Sequence, residues 1–164
     1  MSVFEQWRIA GSNGVCGRCD VELAHGRAFF SALVEGPEGF ERRDFCGDCW
    51  PDTERGEFFC YWRTRRAEPE GKPVVDTDLM MEFFDRLEGA ETQEKRVFRF
   101  VLALYLMRRK QFKLVEVARG GEAESLVFER RSDKERLEVA NPGIDEEQIR
   151  SAAARLSELF DAEL

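Results

Sequence analysis

Four of the chain's five cysteines fall in two short repeats, Cys16-Gly17-Arg18-Cys19 and Cys46-Gly47-Asp48-Cys49. Two residues between cysteines let a tight turn aim both sulfurs at one ion. The 26 residues between the repeats (positions 20–45) read as a hairpin, which brings the two turns together. Four thiolates then form a tetrahedron with metal–sulfur distances of about 2.3 Å. One structural Zn2+ is the expected cofactor; iron with four thiolates is the chemical alternative, because ligand type alone does not separate the two. Four protein ligands leave no open position for water or substrate, so Cys16, Cys19, Cys46 and Cys49 are expected to hold a fold together rather than to catalyse. A redox dithiol is the rival reading of Cys-Gly-x-Cys. Such a motif is used singly, at a helix N-terminus in a βαβ setting, whereas here two copies flank a hairpin.

The remaining reactive residues give less. Cys60 alternates with Phe58 and Trp62 and reads as a buried, inert thiol. The single histidine, His25, sits in the turn-like Ala24-His25-Gly26 and reads as an exposed loop residue. No Gly-rich phosphate loop, serine nucleophile elbow or His-Glu metalloprotease motif is present, so enzyme activity has no support in the sequence. One surface carries a partner expectation. Alternation from Glu57 to Arg66 puts Phe58, Cys60 and Trp62 on one strand face and Phe59, Tyr61, Arg63 and Arg65 on the other, with Arg66 alongside. Rings and guanidinium groups on a sheet face can stack bases and neutralise phosphates, or can pack against protein. A protein partner is the expectation and nucleic acid the less favoured one.

The elements that must position these residues follow from periodicity. Before the second cysteine pair, Arg27 to Glu35, a Gly36-Pro37-Glu38-Gly39 turn and Phe40 to Phe45 make a β-hairpin, and Glu57 to Arg66 a third strand. Composition changes at Ala67-Glu68-Pro69-Glu70-Gly71-Lys72-Pro73, a boundary between a module over residues 1–66 and a second unit over 74–164. In that second unit, Asp76 or Thr77 caps a helix to Leu87, and Thr92 or a neighbour starts a longer, mostly buried helix to about Lys110. The period then changes to two, giving a three-stranded meander of Phe112 to Ala118, Ser125 to Glu129 and Arg136 to Ala140. Asp145 caps a last helix with the stripe Ile149, Ala152, Ala153, Leu156, Leu159 and Phe160. The fold class is α+β: a small three-stranded β module, two helices, an antiparallel meander and one helix.

The two knuckles, the hairpin between them and the strand after them resemble a zinc ribbon over Val15 to Arg66. That resemblance implies a structure type and a structural zinc, and zinc ribbons occur in transcription, translation and protein binding. The longer pattern, with Trp7 upstream, Arg42-Arg43-Asp44-Phe45 before the second knuckle and Trp50 after it, is similar to a set of uncharacterised bacterial proteins, which carry over no functional residue. At 164 residues with 43% hydrophobic and 35% charged residues, the chain can bury a real core. A net charge of -8, of which -6 falls from Ala67 onward, argues against broad adhesion to nucleic acid or anionic lipid. Met1 to Arg8 does not read as a secretory leader, and Val97 to Met107, interrupted by Arg99, is short of the roughly 20 residues that cross a bilayer. A cytoplasmic protein without membrane contact is expected.

Overall fold

Two three-stranded antiparallel sheets and three helices make up the α+β fold of the computed structural model, which describes residues 12–37, 39–66, 76–121 and 123–160. The proposed boundary at Ala67 to Pro73, Trp7 and the turn residue Glu38 lie outside the described residues. Packing separates two units. One holds the described residues up to Arg66 and the end of the last helix from Arg155; the other runs from Asp76 to Ala154.

In the first unit, strands β1 (Ala28–Gly36), β2 (Gly39–Phe45) and β3 (Phe58–Arg65) form a sheet of order β2-β1-β3. The β1/β2 hairpin closes at the pair Gly36↔Gly39, and Gly39 has φ 127°, a backbone region open to glycine at little cost. As the central strand, β1 is covered on both faces, so consecutive residues Ser31, Ala32 and Leu33 are all buried. One face meets the ring of Trp50, from a single 3-10 turn over Trp50–Asp52. Phe30 stacks on that ring at 4.5 Å with an interplanar angle of 1°, and Phe45, Phe58 and Tyr61 surround it. The other face meets the end of the last helix, where Phe160 lies 5.4 Å from the Trp62 ring.

The second unit has helices α1 (Thr77–Arg86) and α2 (Gln93–Arg108) packed on each other, with α2 against a sheet of order β4-β5-β6. Asp76 caps α1 by accepting from the amides of Asp78 and Leu79 at 3.0 and 3.2 Å. On α2, Val97, Phe98, Phe100, Val101, Leu102, Ala103, Tyr105 and Leu106 are buried, more than one stripe, which makes it the central helix. Phe112 at the start of β4 (Phe112–Arg119) joins Phe84 of α1 to Phe128 of β5 (Glu124–Arg130) through ring contacts of 5.0 and 5.8 Å. Strand β6 (Arg136–Ala140) adds buried Leu137 and Val139. Along β4 the pairing with β5 slips between Leu114 and Glu116, a bulge that leaves Val115 unpaired and blunts that edge of the sheet. Asp145 and Gln148 exchange side-chain-to-amide bonds of 2.8 and 3.0 Å, a reciprocal cap at the start of α3 (Glu146–Phe160). No helix among the described residues is long and apolar enough to cross a membrane.

Candidate metal centre

The first knuckle is a tight loop closed by the bridge Val15↔Glu22 and by Leu23 donating to the Gly14 carbonyl at 2.8 Å. Inside it the Asp20 amide donates to the Cys16 carbonyl at 2.9 Å, with Asp20 at φ 58°. The second knuckle repeats that bond: the Trp50 amide donates to the Cys46 carbonyl at 3.1 Å. In each, the residue after the second cysteine returns to the first. The same short sequence spacing thus yields the same local turn twice.

Strand β2 joins the two turns. Cys46 follows its last residue, and the Gly17 amide of the first knuckle donates to the Asp44 carbonyl at 2.8 Å. The four sulfurs consequently lie within 4.8 Å of one another, and among the described residues Cys16, Cys19, Cys46 and Cys49 are the group able to hold a metal ion. Cys19 Sγ and Cys46 Sγ are 3.8 Å apart. That is too long for an S–S bond of about 2.05 Å. It equals the edge, about 3.8 Å, of a tetrahedron with 2.3 Å metal–sulfur bonds.

The electrostatics also fit a cation. Burial would raise the Cys16 thiol, but the amides of Cys46, Arg18 and Cys19 point at its sulfur and bring it down to about 6. The Cys46 amide reaches it at 3.4 Å. A thiolate is therefore prepared at one corner. The opposite holds at Cys49, pushed up to about 12 by its hydrogen bonds with Cys19 and Cys46, then by burial and by Cys16. At Cys19 the Val21 amide and the Cys49 thiol favour the thiolate, but desolvation, Cys16 and Cys46 outweigh them and the pKa is raised. Four sulfurs this close do not all ionise without a positive charge among them, and a bound metal ion would supply it. The apolar cluster of Leu23, Phe29, Ala32, Phe45 and Trp50 packs around buried Cys16, so the site and this core are one structure.

Cys60 and His25 stay outside this group. Cys60 is fully buried opposite Leu33, on the sheet face it shares with Trp62, and His25 is exposed in its turn. Cys60→Ala is expected to keep a full complement of metal and to lower stability by about 1–2 kcal/mol, the loss from a small buried group. Metal analysis beside a denaturant melt of the same sample checks both halves, and metal loss in this variant would contradict the assignment.

The expected alternation along β3 needs correction. Cys60 pairs with Leu33 but Phe58 pairs with Val34, a bulge in which Phe59 is the extra residue. The extra residue slips the alternation by one. Phe58 therefore joins Tyr61 around Trp50, while Phe59 turns to the opposite face and packs on Phe40 at 4.9 Å. Phe59 thus does not share a face with Tyr61, Arg63 and Arg65. Those three are exposed and alternate along the edge strand. Arg66 lies past the strand end, its guanidinium against Gly14. Arg55, not singled out by sequence, lies 4.8 Å from the Trp50 ring and 5.8 Å from the Tyr61 ring, adding a cation to that surface.

Sequence reasoning also missed the group beneath the knuckles. Arg42 and Asp44 are buried and form an ion pair at 2.9 Å. Arg42 further donates to the Ser31 hydroxyl at 3.0 Å and to the Leu159 carbonyl of α3 at 2.9 Å. Asp44 accepts from Ser31 at 2.5 Å and from Ser12. The residue whose carbonyl holds Gly17 is thus itself fixed by its carboxylate. Alternation of Phe40, Arg42 and Asp44 with the exposed Glu41 and Arg43 was the available signal: charges at the inward positions of a strand require a buried partner.

Comparison with family models, with curated proteins and with solved structures finds no match for this chain.

Proposed function

We propose that the protein is a non-enzymatic, zinc-stabilised interaction protein, in which one Zn2+ bound by Cys16, Cys19, Cys46 and Cys49 holds a zinc-ribbon-like module in shape to present a surface to a protein partner. The observation that carries this reading is the four-sulfur group itself, with its 3.8 Å tetrahedral edge. A set of four protein ligands has no vacant position for substrate, so its contribution is to folding. The test is metal analysis of protein purified without added metal. About one equivalent of zinc per chain supports the reading. Less than about half an equivalent, or iron in its place, overturns it.

The exposed row of Tyr61, Arg63 and Arg65 beside Arg55 supports a second reading, single-stranded nucleic-acid binding through the module. Its signature is affinity for single strands that falls steeply as salt rises, because each phosphate contact releases counterions. Binding to a protein with little salt dependence favours the first reading.

A further inference from the structure

The second unit contains a cleft that the metal-site reading does not use. It has a volume of about 300 Å³ and is lined by Leu87, Gly89 and Ala90 after α1, by Arg96 and Arg99 of α2, and by Ser125, Glu138, Val139 and Ala140 of the sheet. That volume corresponds to about ten water molecules and lies at the small end of ligand sites.

Its polar groups are unequally satisfied. Arg99 is half-buried, with its guanidinium 4.6 Å from the Phe84 ring. Only Nη1 finds an acceptor among the described residues, the Glu138 carbonyl at 3.1 Å, and the buried Nε has none. Arg96 spends Nε on the Ala90 carbonyl at 3.1 Å, leaving both terminal nitrogens over. The Ser125 hydroxyl makes no hydrogen bond among the described residues. The two carbonyls that face the arginines are already accepting, and the carboxylate in the lining, that of the exposed Glu138, makes no hydrogen bond to either arginine among the described residues, so donors on both remain to be used. Acidic neighbours do not use up their donors: Glu88 and Asp85 both act on Arg99 through space without a hydrogen bond to it, and Asp85 is bonded to Arg130. In a chain of net charge -8, two guanidinium groups with unused donors in one concavity concentrate positive charge there, partly offset by Glu138 in the same lining.

We propose that this cleft binds a small molecule carrying a carboxylate or phosphate, with the oxyanion held between Arg96, Arg99 and the Ser125 hydroxyl. A planar fork of donors matches such an acceptor in two-point contact. Leu87, Ala90, Val139 and Ala140 supply an apolar wall for the body of the ligand. Every group assigned to the site belongs to the second unit, so the inference stands apart from the metal centre.

The experiment is a titration of the full chain, followed by amide and arginine Nε–H NMR signals at constant ionic strength. The probes are inorganic phosphate, butyrate and the neutral butyramide. Expected is a saturable response to phosphate, butyrate or both at roughly millimolar concentration, centred on Leu87 to Ala90, Ser125 and Glu138 to Ala140. Phosphate alone or butyrate alone identifies the kind of oxyanion. Arg96→Ala removes an exposed side chain and is expected to weaken binding about tenfold, the effect of losing one charge-assisted contact. Arg99→Lys keeps the charge but loses the fork and is expected to weaken it as well. No saturable response to either anion, butyramide binding as well as butyrate, or an Arg96→Ala protein with unchanged affinity overturns the proposal.

Discussion

Replacing Cys16, Cys19, Cys46 or Cys49 singly by Ser is expected to remove the metal and to melt the three-stranded module. The size of the effect follows from what the metal replaces. The first unit's core is a layer of rings around Trp50, and Cys16 is part of that layer. A β module this small gains little from its own core, whereas binding of structural zinc contributes on the order of 10 kcal/mol, which is then folding free energy. Removing one thiolate also leaves three sulfurs whose mutual crowding, already enough to hold Cys49 up at about 12, is no longer relieved by an ion. Cys16→Ser should be the most damaging of the four, since Cys16 is fully buried and its sulfur receives the Cys46 amide. Cys19→Ser, at the exposed corner, should leave the most residual structure. Trp50 provides the readout beside metal content: it follows Cys49 directly and stacks on Phe30, so its near-UV signal should vanish with the metal. A Cys16→Ser protein that kept both its metal and that signal would show that the ligand set is wrong.

Much of this was legible in the sequence, and the parts that were not share a physical cause. Element order and type followed from apolar period and from turn residues; Asp76 and Asp145 marked helix starts because their carboxylates satisfy free amides at a fixed offset. The four cysteines were legible because Cys-x-x-Cys is a local pattern and the hairpin that unites the pairs is also local. Long-range pairing is different. The bulge opposite Leu33 and Val34 depends on how β3 registers against β1, and nothing within Phe58-Phe59-Cys60 announces it. Strict alternation therefore fails at this point, and Phe59 lies on the face opposite to the one that alternation predicts. Arg55 escaped notice for the same reason, because its place over Trp50 is set by the chain's return after the 3-10 turn. The cleft in the second unit draws on α2, β5 and β6, so no local pattern in the sequence brings its two arginines together with Ser125.

Arg42→Met should destabilise the first unit by about 3–5 kcal/mol, the cost of leaving a buried charge without its partner. The side chains of Arg42 and Asp44 are each 1% exposed, so neither can turn to water when the other is removed. Loss of Arg42 strips Asp44 of its cation and leaves, among the described residues, the Ser31 and Ser12 hydroxyls as donors to the carboxylate. It also frees the Leu159 carbonyl and removes a guanidinium from over the Trp62 ring. Asp44→Leu should cost a similar amount by leaving the buried Arg42 guanidinium without its carboxylate. The double variant Arg42→Met/Asp44→Leu should cost clearly less than the sum of the two, because replacing both partners by apolar groups removes the unpaired charge. The stability of the double variant relative to the parent separates an ion pair that stabilises the unit from one that is merely tolerated there. Metal content extends the test to the site. Asp44 holds Gly17 through its backbone carbonyl, which no side-chain substitution removes, so Arg42→Met that remains folded at low temperature should still carry its metal. Its melting transition would fall while its metal content stayed the same, the reverse of the order expected for Cys19→Ser, where metal is lost first and structure follows.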